Sequence, residues 1–201
     1  MSWIIKHPFT TALFLAIFIA GLLTGPALGR EIPASIQNTW GTGPQKIFEG
    51  KWWTIFTMVF LCNDAFMLYG VILAGVPIMA MAESRLGTIT TVAVYWGIQI
   101  VVWLLMAAIF RFLMLHDIDP GPKVYPMTDI GLSVGLFGVI GTLVVILNRA
   151  PETARHWQTI ALEAGVPLYL ILKWILMPEW LADSGHWIAL FTGVLVGLLL
   201  K

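Results

Sequence analysis

Apolar residues run along this chain in long unbroken stretches, and short polar segments separate them. A run of about twenty apolar residues is the length an α-helix needs to cross the hydrocarbon core of a bilayer. In chain order the pattern predicts spans at about residues 8–29, 65–82, 89–115, 131–147, 157–177 and 186–200, the last one short. Residues 30–51 form a long polar first loop with Pro33, Trp40 and Pro44. Loops of that length are uncommon in compact bundles and often functional. Trp52 and Trp53 mark a membrane interface. The apolar stretch from Thr54 to Ala82 is too long for one perpendicular crossing. Asn63-Asp64 divides it into an interfacial or re-entrant piece and the second span. Segments 83–87, 116–128, 148–156 and 178–185 read as turns and loops. Lys6, the first apolar run and Pro26-Ala27-Leu28-Gly29 share the outline of a signal peptide, but the run is long enough to span and is read as a retained helix.

The fold class that follows is all-α: a polytopic membrane protein, one membrane domain over residues 1–201 built as a six-transmembrane-helix bundle. Composition agrees, with 59% hydrophobic residues, 11% charged residues and a mean hydropathy of +0.87. The lipid bilayer is the expected surrounding. A formal net charge of zero gives no reason to expect nucleic acid as a partner. Cys62 is the single cysteine, which excludes an internal disulfide and a cysteine-based metal cluster. His7, His116, His156 and His186 show no ligand-like spacing, so no metal and no cofactor are expected. Lys6, Arg85, Arg149, Arg155 and Lys201 fall toward one membrane face. Arg30, Lys46, Lys51, Arg111, Lys123 and Lys173 fall toward the other, and this near balance sets no orientation.

The fourth span opens with Asp-Ile-Gly-Leu-Ser-Val-Gly-Leu-Phe-Gly-Val-Ile-Gly at 129–141. Glycine costs a helix roughly 1 kcal/mol against alanine in water. In lipid, small residues such as Gly135 and Gly141 let helix backbones approach closely, which predicts a central, tightly surrounded helix. The sixth span carries Ala189, Gly193 and Gly197 at spacings of four, a second close-packing stripe. His186 shares that stripe's face. Ser133 lies near the start of the fourth span and His186 at the start of the sixth, so both are expected at shallow depth on one side of the membrane. If the two small-residue faces meet, His186 approaches Ser133. A serine beside a histidine is the minimum for nucleophilic acyl transfer, and backbone N–H groups at a helix start can stabilise an oxyanion. Taken singly, such a serine is most often a packing residue and such a histidine an interfacial anchor. Asp129 reads as a helix cap rather than a catalytic acid.

Several motifs carry a family resemblance. Gly131-Leu132-Ser133-Val134 with Gly141 resembles the Gly-x-Ser-x helix of the rhomboid intramembrane serine proteases. His186 with Ala189 and Gly193 resembles their last-helix His-x-x-Gly-x-x-x-Gly pattern, with alanine at the first glycine. Glu83 to Gly87 resembles the Glu-x-Arg-x-Gly turn, and Lys51-Trp52-Trp53 the Trp-Arg region of the first loop. The similarity runs in family order from about Lys51 to Leu200. It implies a Ser133–His186 dyad without a third acid, acting on peptide bonds in or near transmembrane segments of membrane-protein substrates. It also implies a water-filled cavity open to the non-cytoplasmic side, a mobile fifth helix as lateral gate, and an integral protein of the bacterial plasma membrane. Phe137 stands where the family often places an aromatic against the histidine, and Gly131 supports the oxyanion turn.

The chain departs from the family in the second span. A histidine and an asparagine four apart, which help bind the oxyanion in the family, align with Met67 and Val71. Neither donates a strong hydrogen bond. Asn63, one turn before Met67, is the substitute donor the spacing offers. Thr54 replaces the arginine of the Trp-Arg pair, and Val134 the glycine after the serine. A second reading is therefore a catalytically inactive rhomboid-like protein that binds transmembrane helices. A third is a small transporter, suggested by Asp64, Glu163 and Lys173 near membrane depth.

Overall fold

A computed structural model describes residues 3–149 and 160–200. Their regular structure is all helical, with one isolated antiparallel bridge between Thr42 and Asp129 and no strand among them. The longer helices are α1 (Pro8–Thr24), α2 (Ala65–Leu86), α3 (Thr88–Leu115), α4 (Ser133–Asn148), α5 (Val166–Leu176) and α6 (Trp180–Leu199). Of these, α2, α3 and α6 are long and apolar enough to cross a membrane, while α1 and α4 are shorter apolar helices. Their outward surfaces are apolar: Phe66, Leu73, Ile89 and Leu199 are exposed. That is the inverse of a water-soluble bundle and suits hydrocarbon as the outer solvent.

Helix α4 is the axis of the bundle. Every residue from Val134 to Leu143 is buried. Its neighbours reach it because it lacks side chains at the contacts. A Cβ on Gly138 would lie 2.5 Å from Ile98 of α3, and one on Gly141 would lie 2.2 Å from the Leu190 carbonyl oxygen of α6. From the other side, a Cβ on Gly193 would meet the Gly138 carbonyl oxygen at 2.0 Å. Ala189 is fully buried in the same seam. Thr142 Oγ1 donates to the Gly193 carbonyl oxygen at 3.0 Å, a direct polar link between α4 and α6.

Glu83 organises the opposite end. Its carboxylate accepts from the backbone N–H groups of Phe9 and Thr10 at 3.0 Å each, from the Thr10 hydroxyl at 2.8 Å and from the Thr88 hydroxyl at 2.7 Å. Phe9 and Thr10 lie in the first turn of α1, where N–H groups have no intrahelical acceptor, and Pro8 ahead of them has none to satisfy. One carboxylate therefore caps α1 and ties it to the ends of α2 and the start of α3. It also meets the positive end of the α1 dipole.

The helix ends differ from the hydropathy reading at identifiable places. The first helix stops at Thr24, before Gly25-Pro26. The second continues through Glu83 to Leu86 and ends at Gly87, whose φ of +77° an L-residue resists, so Glu83 lies in the last turn of a helix and not in a loop. The sixth begins at Trp180, six residues before His186, which therefore sits well inside the helix rather than at its start. The long first loop contains two short helices, Ala34–Trp40 and Pro44–Phe48. Pro33 and Pro44 open them, the positions at which proline costs a helix no hydrogen bond. Thr57 Oγ1 then anchors the Trp40 carbonyl at 2.6 Å. The piece after Trp53 forms two short helical turns, Thr54–Thr57 and Met58–Phe60, before Asp64 caps α2 through the Met67 N–H at 2.7 Å. The predicted start of the fifth span, at 157–159, lies outside the described residues.

Candidate active site

The turn before α4 places Ser133. Gly131 has a φ of +120°, a conformation that excludes a side chain at low cost, and it ends the extended approach from Asp129. Its N–H donates to the Met58 carbonyl oxygen at 2.9 Å, which pins the turn to the short helical piece below it. The helix then starts at Ser133, two residues later than the hydropathy pattern places it. Ser133 Oγ lies 2.8 Å from His186 Nε2. The small-residue seam between α4 and α6 makes that approach geometrically allowed, since a side chain at Gly138, Gly141 or Gly193 would hold the helices apart.

His186 is 6% exposed. Phe137 packs on its ring with centroids 4.6 Å apart, and Tyr169 of α5 is stacked on Phe137 with centroids 6.5 Å apart. Among the described residues His186 Nδ1 has no hydrogen-bond partner. Asp183, one turn away, is already engaged: Lys173 Nζ donates to Oδ1 at 2.6 Å and the Glu179 N–H to Oδ2 at 2.7 Å. Ser133 and His186 thus stand as a pair.

Above the pair lies a cavity of about 630 Å³. Met67 and Val71 form part of its wall, and Asn63 lines it with its side-chain amide unbonded among the described residues. The Met67 methyl lies against Gly131, where a Cβ would be 2.6 Å from it. At the start of α4 the N–H groups of Ser133 and Val134 have no acceptor among the described residues. Two backbone donors beside a serine oxygen can hold the negative oxygen of a tetrahedral adduct.

A family model of the rhomboid domain matches residues 49–201, which take in every group of the site from Met58 to His186. The chain belongs to the rhomboid family. Rhomboid proteins are generally intramembrane serine proteases, and this membership with the apolar helices suggests an integral membrane protein. A search of curated proteins found no match to the chain.

Within this rhomboid domain the predicted site residues fall into two groups. Ser133, His186 and Asn63 line the cavity, Phe137 packs on the His186 ring and Gly131 lies against the Met67 methyl, whereas Gly135, Gly141, Ala189, Gly193 and Gly197 lie in the helix contacts. Asp129 does not cap α4. Its carboxylate accepts from the adjacent Ile130 N–H at 2.9 Å, and its backbone pairs with Thr42. The N-cap position belongs to Leu132, because the Gly131 turn separates Asp129 from the helix. The ionisable residues behind the transporter reading have local partners: Asp64 caps α2, Glu163 bonds Asn148, and Lys173 pairs with Glu179 and Asp183. Gln99, Tyr95 and the Lys173 cluster escape a reading by motif, because their roles depend on contacts between distant segments.

Burial pushes the Asp129 carboxyl up to about 7, with Glu179 and Asp183 adding to the rise and the Ile130 N–H and Lys173 opposing it. The folded protein thus holds this proton more tightly than the unfolded chain does. The resulting stability is present below the ordinary aspartate range near pH 4 and is lost as pH rises through about 7. Asp129→Asn stays neutral throughout. Thermal unfolding of this variant is expected to gain on wild type as pH rises from 5 to 8, and a difference independent of pH would contradict the assignment.

Proposed function

We propose that this rhomboid protein is an intramembrane serine protease that hydrolyses peptide bonds in or near transmembrane segments of membrane proteins. The observation that carries the reading is the 2.8 Å approach of Ser133 Oγ to His186 Nε2 beneath an open cavity. His186 Nε2 accepts the Ser133 proton as Oγ adds to the scissile carbonyl. The N–H groups of Ser133 and Val134 hold the oxyanion, with Asn63 placed to add a side-chain donor. His186 returns the proton to the departing amine, leaving an ester on Ser133. Water attacks that ester with His186 again as base, which restores the hydroxyl and releases the acid.

In the same reading, α1 to α6 are six spans of a bacterial plasma-membrane protein, and α5 is the side through which a substrate helix enters. Leu170 is its one buried residue, so little packing holds α5 closed. A second reading keeps the substrate site but not the chemistry: a rhomboid-like protein that binds transmembrane helices. It is favoured by Met67 and Val71, which put apolar groups where the family carries oxyanion donors. Reconstitution with a tagged single-span substrate in liposomes separates the two. Cleavage within or beside the span supports the protease. Binding of the substrate by folded protein without any cleavage supports the second reading.

A further inference from the structure

The first three N–H groups of α4 belong to Ser133, Val134 and Gly135. A helix leaves them without intrahelical acceptors, and the three are treated differently here. Those of Ser133, which lines the cavity, and of Val134 next to it have no acceptor among the described residues. That of Gly135 donates to Gln99 Oε1 at 2.9 Å. Gln99 is fully buried in the middle of α3, a position at which an uncharged amide is costly unless its atoms are bonded. Its Nε2 donates in turn toward the Ile55 carbonyl oxygen and Met58 Sδ, each at 3.4 Å. Met58 also supplies the carbonyl that accepts the Gly131 N–H. One turn before Gln99, Tyr95 fills the space against Gly135 and directs its hydroxyl to the Leu132 carbonyl oxygen at 3.4 Å. The turn that carries Ser133 is therefore held on both sides: Gly131 by Met58, and Gly135 by Gln99.

We infer that Gln99 is a positioning residue for the Ser133–His186 reaction. It occupies the Gly135 donor, which leaves the Ser133 and Val134 donors as the pair that faces the developing oxyanion. It also fixes the rotation of the first turn of α4, and with it the direction of Ser133 Oγ. Its tie to Ile55 and Met58 couples that rotation to the short helical piece under the cavity. In a chain whose second helix presents Met67 and Val71 to the cavity, the backbone donors carry more of the oxyanion, so their aim matters more. The inference rests on the protease reading above.

The test is inactivation by a fluorophosphonate in detergent, with the maximal rate and the half-saturating concentration measured separately and counted per folded molecule. Gln99→Met keeps the length and removes all three side-chain hydrogen bonds. It is expected to lower the maximal rate by about ten- to a hundredfold and to change half-saturation by less than about threefold. Gln99→Glu, protonated at a buried site, keeps an acceptor for Gly135 and a donor for Ile55, and is expected to hold the rate within about fivefold of wild type. If Gln99→Met does not fold, Gln99→Ala is compared with Gln99→Glu in the same way. Wild-type rates in folded Gln99→Met or Gln99→Ala overturn the positioning role alone. Equal losses in the Met and Glu variants do so as well. A folded wild-type protein that does not react overturns the protease reading, and the positioning role falls with it.

Discussion

Ser133→Ala is expected to abolish fluorophosphonate labelling and to lower hydrolysis of a transmembrane substrate by roughly 10⁴-fold or more, with His186→Ala nearly as damaging. The magnitude follows from the two groups acting as one unit. Without His186 the Ser133 proton has no acceptor within reach, since Nε2 at 2.8 Å is the one base on that oxygen among the described residues. Without Ser133 no ester forms. The double variant is then expected to be no worse than the poorer single one, and a double variant many-fold worse would mean that the residues act separately. The same geometry limits what a third residue can do. Asp183 is the nearest acid in sequence, but both its oxygens are taken by Lys173 Nζ and the Glu179 N–H. Asp183→Asn should therefore cost far less than either dyad change, less than about tenfold, unlike the acid of a serine–histidine–aspartate triad. Cleavage assays on the four variants beside wild type decide all of this.

How far the site could be read in advance depended on the range of the interaction. The stripe of Ala189, Gly193 and Gly197 and the glycines of α4 repeat at helical spacing, so the face on which His186 lies was legible from periodicity alone. The start of α6 was not. Trp180 to Gly185 includes Asp183 and Ser184, which lower its hydropathy, yet the segment is helical because Asp183 returns to the Glu179 N–H and binds Lys173 of α5. A polar residue satisfied by a distant partner looks like a loop residue to a hydropathy scan. Glu83 misled in the same way: its motif was legible, but its four bonds to Phe9, Thr10 and Thr88 reach two other helices, α1 and α3. Gln99 carried no motif at all, and a lone glutamine in an apolar run gains meaning only from what lies across from it. Asp129 was misplaced because the local spacing suited a cap, while the φ of Gly131 breaks the path between it and the helix.

Gly193→Ala and Gly141→Ala are expected to be the most destabilising single-methyl additions in the seam between α4 and α6. An added Cβ would lie 2.0 Å from the Gly138 carbonyl oxygen in the first and 2.2 Å from the Leu190 carbonyl oxygen in the second. Backbone cannot rotate aside as the end of a flexible side chain can, so α4 and α6 must separate by something on the order of 1 Å to restore normal contact. Overpacking of this kind costs typically about 1–3 kcal/mol and sometimes more. Separation also stretches the Thr142–Gly193 hydrogen bond, which starts at 3.0 Å. Gly197→Ala should be milder, because its nearest atom is a Val145 side-chain carbon at 2.8 Å and the Thr142 oxygen is 3.0 Å away. Gly70 of α2 and Gly97 of α3 supply the control. An added Cβ there meets nothing within 4 Å, so alanine should be neutral or stabilising by up to about 1 kcal/mol, through helix propensity. Thermal unfolding in detergent orders the five variants. The labelling rate provides a second reading, because His186 lies two turns above Gly193 on the same face. Widening the seam at Gly193 or Gly141 lengthens the Ser133–His186 contact, so the rate per folded molecule should fall along with stability. If Gly193→Ala unfolds no earlier than Gly97→Ala, the close approach of α4 to α6 is wrong, and the juxtaposition of Ser133 with His186 loses its structural basis.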